Sequence, residues 1–275
     1  MEGSKIFFIL TLATLSAAHS WVERLRRVGL NGTMVGEPGY IRGAVSRLNP
    51  VFNDLQMQNL LPSNGQESSF QSDRICKETQ IIGNYSQELP QLKAHPGDFI
   101  ALQYQENGHV TLPQNTPQKS SPGNIYIYGT SSPRDNAKII DIHQVWTQSG
   151  TGGDGRGKLL GTWSFDDGRC YQINNGNISV ERQKKFSKIA ADPQGADLWC
   201  QTDIRLPFDV QDKYSLYWVW DWPSKPTEQL PHGQQEIYTS CMDIAILPGN
   251  QLGQISYVDG QDLNLAGIKD QLLSI

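Results

Sequence analysis

A histidine directly follows the small residues that end a leader-like segment, and this position would give it two nitrogen ligands. Lys5 precedes a mostly apolar run over residues 6–15, and small residues occupy 16–18, which is the pattern of a secretory signal peptide. Cleavage after residue 18 would leave His19 with a free α-amine beside its imidazole Nδ1. These two nitrogens can chelate one metal ion in a six-membered ring, because an amine with an unperturbed pKa of about 8 yields its proton to a metal at low cost.

A second histidine is needed to complete such a site, and His109 is the best placed of the other four. It lies in a Gly/Asn-rich turn, "QENGHVTLP", directly after the apolar segment 98–104, and a loop held by a core strand positions a ligand well. His95 stands at the other end of that segment, roughly 30 Å away at about 3.3 Å per residue, so the two cannot easily share a site. His143 alternates within an apolar stretch and is predicted to be a hydrogen-bonded core residue in a strand. Three nitrogens from His19 and His109 would suit copper in either oxidation state.

The elements that would position these residues are predicted to be β-strands. Five segments are rich in β-branched and aromatic residues and are bounded by Gly, Pro, Asn or Asp, which is typical of strands; they are 98–104, 124–129, 158–165, 214–222 and 236–247. In 214–222 the even-numbered residues from Tyr214 to Trp222 share one face, and Tyr217 and Val219 lie on the other. A strand that is apolar on both faces belongs in the middle of a sheet.

The remaining segments predict long loops and little helix. Residues 181–191 are the best helix candidate, and 22–72 alternates poorly and is interpreted as a long, functional loop region. We therefore expect an all-β fold, an immunoglobulin-like or fibronectin-type antiparallel β-sandwich with long decorating loops. The predicted organisation is a signal peptide at 1–18, a β-sandwich copper-binding domain at 19–248 and a C-terminal tail at 249–275.

Composition narrows the compartment and the partners. The chain of 275 residues has a net charge of −5, so it lacks the basic surface that binds nucleic acid or anionic membranes. No segment after the leader is continuously apolar, and we expect a secreted monomer that does not bind membranes.

Cysteines and glycosylation sequons agree with secretion. Four cysteines are an even number in an oxidising compartment, so two disulfides are expected. Cys170 and Cys200 flank the Asn/Gly-rich stretch and the candidate helix, which predicts that they pair and that Cys76 pairs with Cys241. Three Asn-X-Ser/Thr sequons predict N-glycosylation, and they begin at Asn31, Asn84 and Asn177.

These features together resemble the lytic polysaccharide monooxygenases, which are secreted copper enzymes that oxidatively cleave chitin, cellulose or related glycans. In that superfamily a late strand carries an aromatic axial residue three positions before a disulfide cysteine, and here Tyr238 precedes Cys241 in this way. A Gln or Glu two positions earlier often lines the oxygen site, which corresponds to Glu236. The segments "HSWVE", "GYIRG", "QENGHVTLP" and "YWVWDWP" are most similar to a group of fungal secreted proteins that resemble these enzymes.

The resemblance implies a role for each candidate residue. One copper ion would be held by His19 and His109, with Tyr238 on one axial side, and Glu236 and His232 would orient or protonate the reduced oxygen species. Trp21 and Tyr40 would stack on sugar rings, although both could equally be core residues. Likewise, Tyr238 could be a plain core tyrosine, and Glu236 could be a surface carboxylate. The partners would be a polysaccharide, such as chitin, cellulose or another wall glycan, and an external electron donor.

Two other functions stay open at this point. In several families of the superfamily the second histidine precedes Gly-Pro, whereas His109 precedes Val-Thr-Leu-Pro, which leaves the substrate open. A protein with the same ligands could bind copper for homeostasis or cell-wall interaction without oxidising a polysaccharide. The third class is a metal-free, glycan-binding β-sandwich.

Overall fold

The computed structural model describes residues 19–29, 34–63, 70–190, 193–228 and 231–249. The predicted signal peptide with its cleavage site, the sequon at Asn31 and the predicted tail from residue 250 onward lie outside these residues. Within them, no helix is both long and apolar enough to cross a bilayer.

The described residues form ten strands and one α-helix. The strands are β1 (Val22–Val28), β2 (Met34–Gly39), β3 (Leu60–Leu61), β4 (Leu92–Ala94), β5 (Phe99–Tyr104), β6 (Asn124–Thr130), β7 (Gly157–Ser164), β8 (Cys200–Arg205), β9 (Lys213–Asp221) and β10 (Ile237–Ile246), and the helix is α1 (Asn177–Lys185). One sheet has the order β2-β1-β5-β8 and the other the order β3-β10-β9-β6-β7, with β4 also pairing with β10. Neighbours on both paths are antiparallel, and β4 runs parallel to β10. The predicted antiparallel β-sandwich is confirmed.

The main core lies between the two sheets, and β9 is central to it. Strand β9 lies between β10 and β6, as its two apolar faces predicted. The face from Tyr214 to Trp222 packs into the main core, whereas Tyr217 and Val219 belong to a second buried cluster with Ile139 and Trp146. Both faces of this strand are therefore covered, and its cross-strand pairs contribute to two cores at once.

Several parts of the chain differ from the sequence-based expectation. The segment 22–72 contains β1 and β2, and β1 is an interior strand of its sheet. Its register shifts between Val22 and Arg24 against β5 and between Leu25 and Arg27 against β2; because a β-bulge interrupts the period of two, the alternation is lost in the sequence. The polar strand β8 was also missed.

The helix begins earlier than predicted, at Asn177, and ends at Lys185 rather than residue 191. Gly176 precedes it in an extended conformation, and Phe186 leaves the helical region at φ −125° and ψ 51°. A helix is therefore present as predicted, but the predicted bounds 181–191 are wrong at both ends.

Both predicted disulfides are present. Cys170 pairs with Cys200 and encloses α1, and Cys76 pairs with Cys241 on β10 across 165 residues. A buried ion pair lies close to the second bond: the guanidinium of Arg42 donates to both oxygens of Asp243 at 3.0 and 2.6 Å. These links attach the loops that precede β4 to the strand that carries Tyr238.

Candidate metal centre

The antiparallel pairing of β1 with β5 brings the two candidate histidines together. Val22 lies opposite Tyr104 in this pair, so the residues just before β1 and just after β5 meet at one end of the sheet. The hydroxyl of Ser20 donates to the carbonyl of Gln105 at 2.8 Å and extends the contact past the strands. His19 and His109 are thus adjacent in space although 90 residues separate them in the chain.

Two nitrogens of this pair face each other. The main-chain nitrogen of His19 donates to Nε2 of His109 at 3.4 Å. The side-chain amide of Asn107, which adopts a positive φ of 48°, donates to the carbonyl of His19 at 2.7 Å. The turn before His109 therefore holds the main chain of His19 beside the His109 ring.

The carboxylate of Glu106 shapes the turn that carries His109. Its oxygens accept hydrogen bonds from the main-chain nitrogens of Val110 at 2.8 Å, Thr111 at 3.2 Å and Gln172 at 2.8 Å, and from the Thr111 hydroxyl. Such a carboxylate replaces the main-chain partners that a tight turn lacks. No sequence signal marks this role, because a Glu beside Asn and Gly is typical of an exposed turn.

The imidazole of His109 is buried against two tryptophans. It is 5% exposed, and its ring centroid lies 5.6 Å from that of Trp220 and 4.9 Å from that of Trp222. Burial, with smaller contributions from His19 and the cation of Lys119, lowers the pKa of His109 to about 3. The ring is therefore neutral at physiological pH, which is the state a metal ligand requires.

The two tryptophans form a rigid wall behind His109. Their rings stack with centroids 4.7 Å apart. The indole nitrogen of Trp220 donates to the carbonyl of Pro122 at 2.8 Å, and that of Trp222 donates to Ser121 at 2.7 Å. Tyr238 stacks on the same wall, with its ring centroid 5.0 Å from that of Trp220.

Tyr238 and Glu236 share one face of the chain around the start of β10, as their spacing predicted. The hydroxyl of Tyr238 donates to Oε1 of Glu236 at 2.7 Å, and the other oxygen of Glu236 pairs with the ammonium of Lys119. Burial, followed by the charge of Glu236, raises the pKa of Tyr238 well above its usual value. Tyr238 is therefore a protonated hydrogen-bond donor.

Lys119 was not among the predicted site residues. Its ammonium also donates to the carbonyl of Trp222 and lies 4.2 Å from the centroid of the Trp222 ring. Burial lowers the pKa of Lys119, although Glu236 acts in the opposite direction. No sequence signal marked it, because a lysine in "TPQKSSP" resembles a solvated loop residue.

The imidazole of His19 has a carboxylate partner on a distant loop. Oδ2 of Asp54 lies 2.7 Å from Nε2 of His19. The opposite side of the site is apolar: Trp21 stacks on His19 with ring centroids 5.9 Å apart. Asp54 lies in the 22–72 segment and was also missed, since its sequence neighbours carry no metal-site pattern.

Trp21 does not present a face for sugar stacking. It is 1% exposed, and it packs against Phe52 and the guanidinium of Arg47, which lies 4.9 Å from its ring centroid. An aromatic side chain that stacks on a sugar needs an exposed ring face, which Trp21 lacks. Trp21 is therefore a core residue and not the substrate contact that was predicted. Tyr40 is half-buried, and its main-chain nitrogen donates to Pro90; its contact with a sugar stays a prediction.

The remaining histidines lie outside this arrangement. His143 is in a turn, not in a strand as predicted, but it is hydrogen-bonded as expected: Nδ1 lies 3.1 Å from the hydroxyl of Tyr128. His95 is buried beside Asp98 at the other end of β5. His232 is exposed in the turn before β10. The cation that contacts Glu236 is Lys119, and a role for His232 at the site stays a prediction.

Two of the predicted glycosylation sites lie on the surface. Asn84 and Asn177 are both exposed. The side-chain amide of Asn84 donates to the carbonyl of Thr79 at 2.8 Å, and Asn177 is the first residue of α1. Glycosylation of these residues stays a prediction.

Side chains alone do not complete a three-ligand cluster at the histidine pair. Within the described residues, the group of three metal-binding side chains that lie close enough together is Asp167, Cys170 and Cys200, whose two sulfurs are joined in a disulfide. At the histidine pair, each imidazole offers one nitrogen, and the main-chain nitrogen of His19 is the third donor in place. The residues therefore fit a metal ion on the condition that this nitrogen is a free amine.

Solved structures that share some likeness with this chain come from the lytic polysaccharide monooxygenases. The extended catalytic domain of Hypocrea jecorina LPMO9A is 13% identical over 87% of this chain and 78% of its own, with a TM-score of 0.36. A cellulose-active polysaccharide monooxygenase from M. thermophila is 12% identical over 86% and 81% of the two chains, with a TM-score of 0.33. CelS2, a cellulose-active enzyme in complex with copper, is 12% identical over 69% and 74%, with a TM-score of 0.34. A likeness at this level carries no argument about function.

A comparison with curated proteins finds no match, whereas a comparison with family models identifies the family of this chain. The model of one family, described as a domain of unknown function (DUF7492), matches residues 16–269, which includes the histidine pair, both disulfides and all ten strands. The chain belongs to the DUF7492 family.

Proposed function

We propose that this chain is secreted, is cleaved after residue 18, and binds one copper ion through the amine and Nδ1 of His19 and Nε2 of His109. On this proposal it acts as a lytic polysaccharide monooxygenase-like protein that oxidatively breaks glycosidic bonds. Bound copper would supply the one-electron and oxygen chemistry that side chains lack.

One observation carries the proposal: the main-chain nitrogen of His19 lies 3.4 Å from Nε2 of a buried His109. The lowered pKa of His109 leaves Nε2 with a free electron pair toward His19. A metal ion bound to both nitrogens would take the place of the proton that they share here. Nitrogen ligands of this kind favour Cu(II) over the other divalent ions of the first transition series.

The surrounding residues would have distinct tasks. The wall of Trp220 and Trp222 excludes water from one side of His109 and holds its ring. The hydroxyl of Tyr238, the carboxylate of Glu236 and the ammonium of Lys119 form a connected chain of hydrogen bonds, through which a proton could be held near the site or moved. Such groups tune a metal site and are expected to affect rate more than affinity.

The decisive experiment compares two chains that differ in the amine of His19. The first begins at His19, and the second carries four additional residues before it. Four are used because a histidine at the second or third position of a chain also chelates Cu(II). We expect the extended chain to bind Cu(II) at least about 100-fold more weakly, with altered nitrogen couplings in the electron paramagnetic resonance spectrum, because it has lost a ligand and not merely a neighbour of one.

Thermal unfolding without copper is the control, and the two chains should unfold at the same temperature. Equal copper affinity for both chains would contradict the proposal, because the amine would then not be a ligand. Mass spectrometry of the secreted protein should find His19 at its N-terminus, and a start at Ser20 would exclude this site.

A second candidate, copper binding without polysaccharide oxidation, is favoured by the surface next to His19. The segment that carries Asp54 exposes three aliphatic side chains, Leu48, Val51 and Leu55, which are 81%, 72% and 73% exposed. Trp21 is buried, so it does not offer the exposed ring face that was expected to stack on sugars. Exposed aliphatic residues suit contact with an apolar surface.

Product analysis separates the two candidates. The copper-loaded chain is incubated with a reductant and chitin, cellulose or another wall glycan, and oxidised oligosaccharides are sought by mass spectrometry. Oxidised products that disappear in His109→Ala would support the monooxygenase. Tight copper binding with no oxidised product from any of these glycans would support the second candidate.

A further inference from the structure

The carboxylate of Asp54 contacts the outer edge of the His19 imidazole. Oδ2 of Asp54 lies 2.7 Å from Nε2, which is a short distance for a hydrogen bond between a ring N–H and a charged oxygen. The His19 side chain is 25% exposed and that of Asp54 42% exposed, so the contact lies at the rim of the site, where both groups remain reachable from solvent.

This contact selects which ring nitrogen carries the proton. A neutral imidazole has one N–H and one nitrogen with a free electron pair, and a carboxylate can accept only from the N–H. In the neutral form of the ring, the contact with Asp54 therefore favours the tautomer that carries its proton on Nε2 and has the free electron pair on Nδ1. Nδ1 is the nitrogen that can close a six-membered chelate with the main-chain nitrogen of the same residue.

The segment that carries Asp54 is held in place by several contacts. Asp54 is the first residue of a short 3-10 helix, Asp54–Gln56. The side chain of Gln56 accepts a hydrogen bond from the main-chain nitrogen of Asn53 at 2.9 Å. The carbonyl of Asp54 accepts from Met57 and Gln58 at 3.0 and 2.8 Å. Met57 is buried in the main core, so the main chain at Asp54 is anchored independently of the contact with His19.

Arg47 keeps a positive charge near the second oxygen of Asp54. Its guanidinium lies 3.9 Å from Oδ1 of Asp54 and forms a closer ion pair with Glu23. It also lies 5.0 Å from the ring centroid of Phe52 and 4.9 Å from that of Trp21. The cation therefore connects the Asp54 segment with the residues that follow His19.

We propose that Asp54 is a positioning residue that holds the His19 imidazole in the tautomer and orientation that present Nδ1 to a metal ion. This role rests on the proposed copper site and deepens it. Asp54 acts through the ring and is not itself a ligand, because Nε2 and Nδ1 lie on different edges of the imidazole. Partners of this kind fix metal-binding histidines, and their loss typically costs about 10- to 100-fold in metal affinity.

The test compares three variants of the chain that begins at His19: Asp54→Ala, Asp54→Asn and the control Asp209→Ala. Asp209 is an exposed carboxylate beside the start of β9, about 25 Å along that strand from the tryptophan wall at 3.3 Å per residue. Asp209→Ala removes the same charge without touching His19. Asp54→Asn keeps an oxygen that can accept from Nε2 but loses the charge.

Two measurements are made. Nitrogen-15 NMR of the copper-free protein reports which ring nitrogen of His19 is protonated and how fast that proton exchanges with water. Copper titration and electron paramagnetic resonance then report affinity and geometry. We expect a slowly exchanging Nε2 proton in the parent chain, faster exchange in Asp54→Ala, and a 10- to 100-fold loss of copper affinity with a changed spectrum. The copper affinity of Asp54→Asn should fall between those of the parent and Asp54→Ala, and the affinity of Asp209→Ala should match that of the parent.

The outcomes separate this proposal from the proposed function. If the parent binds copper tightly and Asp54→Ala binds it equally well with the same spectrum, the copper site stands and the role of Asp54 is wrong. A neutral parent ring that carries its proton on Nδ1 in the copper-free protein overturns the role of Asp54 as well. If the parent chain does not bind copper, the proposed function is wrong and the metal role of Asp54 falls with it.

Discussion

The ammonium of Lys119 and the carboxylate of Glu236 form an ion pair against the Trp222 ring, although 117 residues separate them in the chain. The Lys119 side chain is 3% exposed, and that of Glu236 is 18% exposed. The pair connects the loop before β6 to the start of β10. It also supports the hydroxyl of Tyr238, which donates to the same carboxylate.

Lys119→Met should therefore destabilise the fold by about 3 kcal/mol, because it leaves a partly buried carboxylate without its cation. Glu236→Gln should also destabilise it, and the double variant should lose less than the sum of the two single changes. Urea unfolding of the four proteins measures this coupling. A Lys119→Met variant as stable as the parent would show that the pair contributes nothing to stability.

His109→Ala should weaken copper binding by more than about 100-fold, because it removes a ligand rather than a supporting residue. The turn is held by Glu106 and not by the imidazole, so the far-ultraviolet circular dichroism should not change. Copper titration makes the measurement, and Asp209→Ala is the control. This exposed residue lies outside the site, and its change should alter the affinity by no more than about twofold. Unchanged copper binding in His109→Ala would exclude His109 as a ligand.

Tyr238→Phe should retain copper but alter the electron paramagnetic resonance spectrum and the oxidation rate. The change removes the hydroxyl that donates to Glu236 and should cost about 1 kcal/mol of stability. Tyr217→Phe is the matched control, because Tyr217 is a buried tyrosine of β9 on the face directed away from the main core. If the spectrum of Tyr238→Phe equals that of the parent, Tyr238 is a core tyrosine without a role at the metal.

Asp203→Asn should stabilise the fold above pH 7 and have little effect near pH 4. Burial raises the pKa of Asp203 to about 7; Asp167 adds to this shift, and a hydrogen bond from Gln201 opposes it. Between about pH 4 and pH 7 the native chain keeps the proton of this carboxyl, whereas the unfolded chain has lost it. The contribution of Asp203 to the free energy of unfolding therefore falls as the pH rises through that range and is constant above it.

Thermal unfolding between pH 4 and pH 8 tests the sign. Because the Asn side chain is neutral throughout, the variant should gain a few degrees over the parent above pH 7, at about 2–4 °C per kcal/mol for a chain of this size. Parallel curves for the two proteins across the whole range would show that Asp203 keeps the same protonation state in the native and unfolded chains.

Local sequence patterns were enough to predict five of the strands, β5, β6, β7, β9 and β10. The alternation in 214–222 predicted both faces of β9 and its central place, and the position of His109 after 98–104 predicted a histidine at the end of β5. Cys170 and Cys200 flank the candidate helix, which predicted their disulfide, and Cys76–Cys241 followed as the remaining pair. Apart from that last pair, these features depend on period-two burial and on residues near each other in the chain, which a sequence shows directly.

Long-range pairing was beyond the reach of such patterns. Strand β1 was missed because β-bulges interrupt its alternation, yet its pairing with β5 is what joins His19 to His109. Glu106 and Lys119 lie in polar stretches that resemble solvated loops, and Asp54 lies in a mixed segment without a metal-site pattern. Each gained its role only from a partner that folding brought close. Periodicity records which side of a strand is apolar, but it carries no information about which distant loop covers that side or which distant charge meets a buried one.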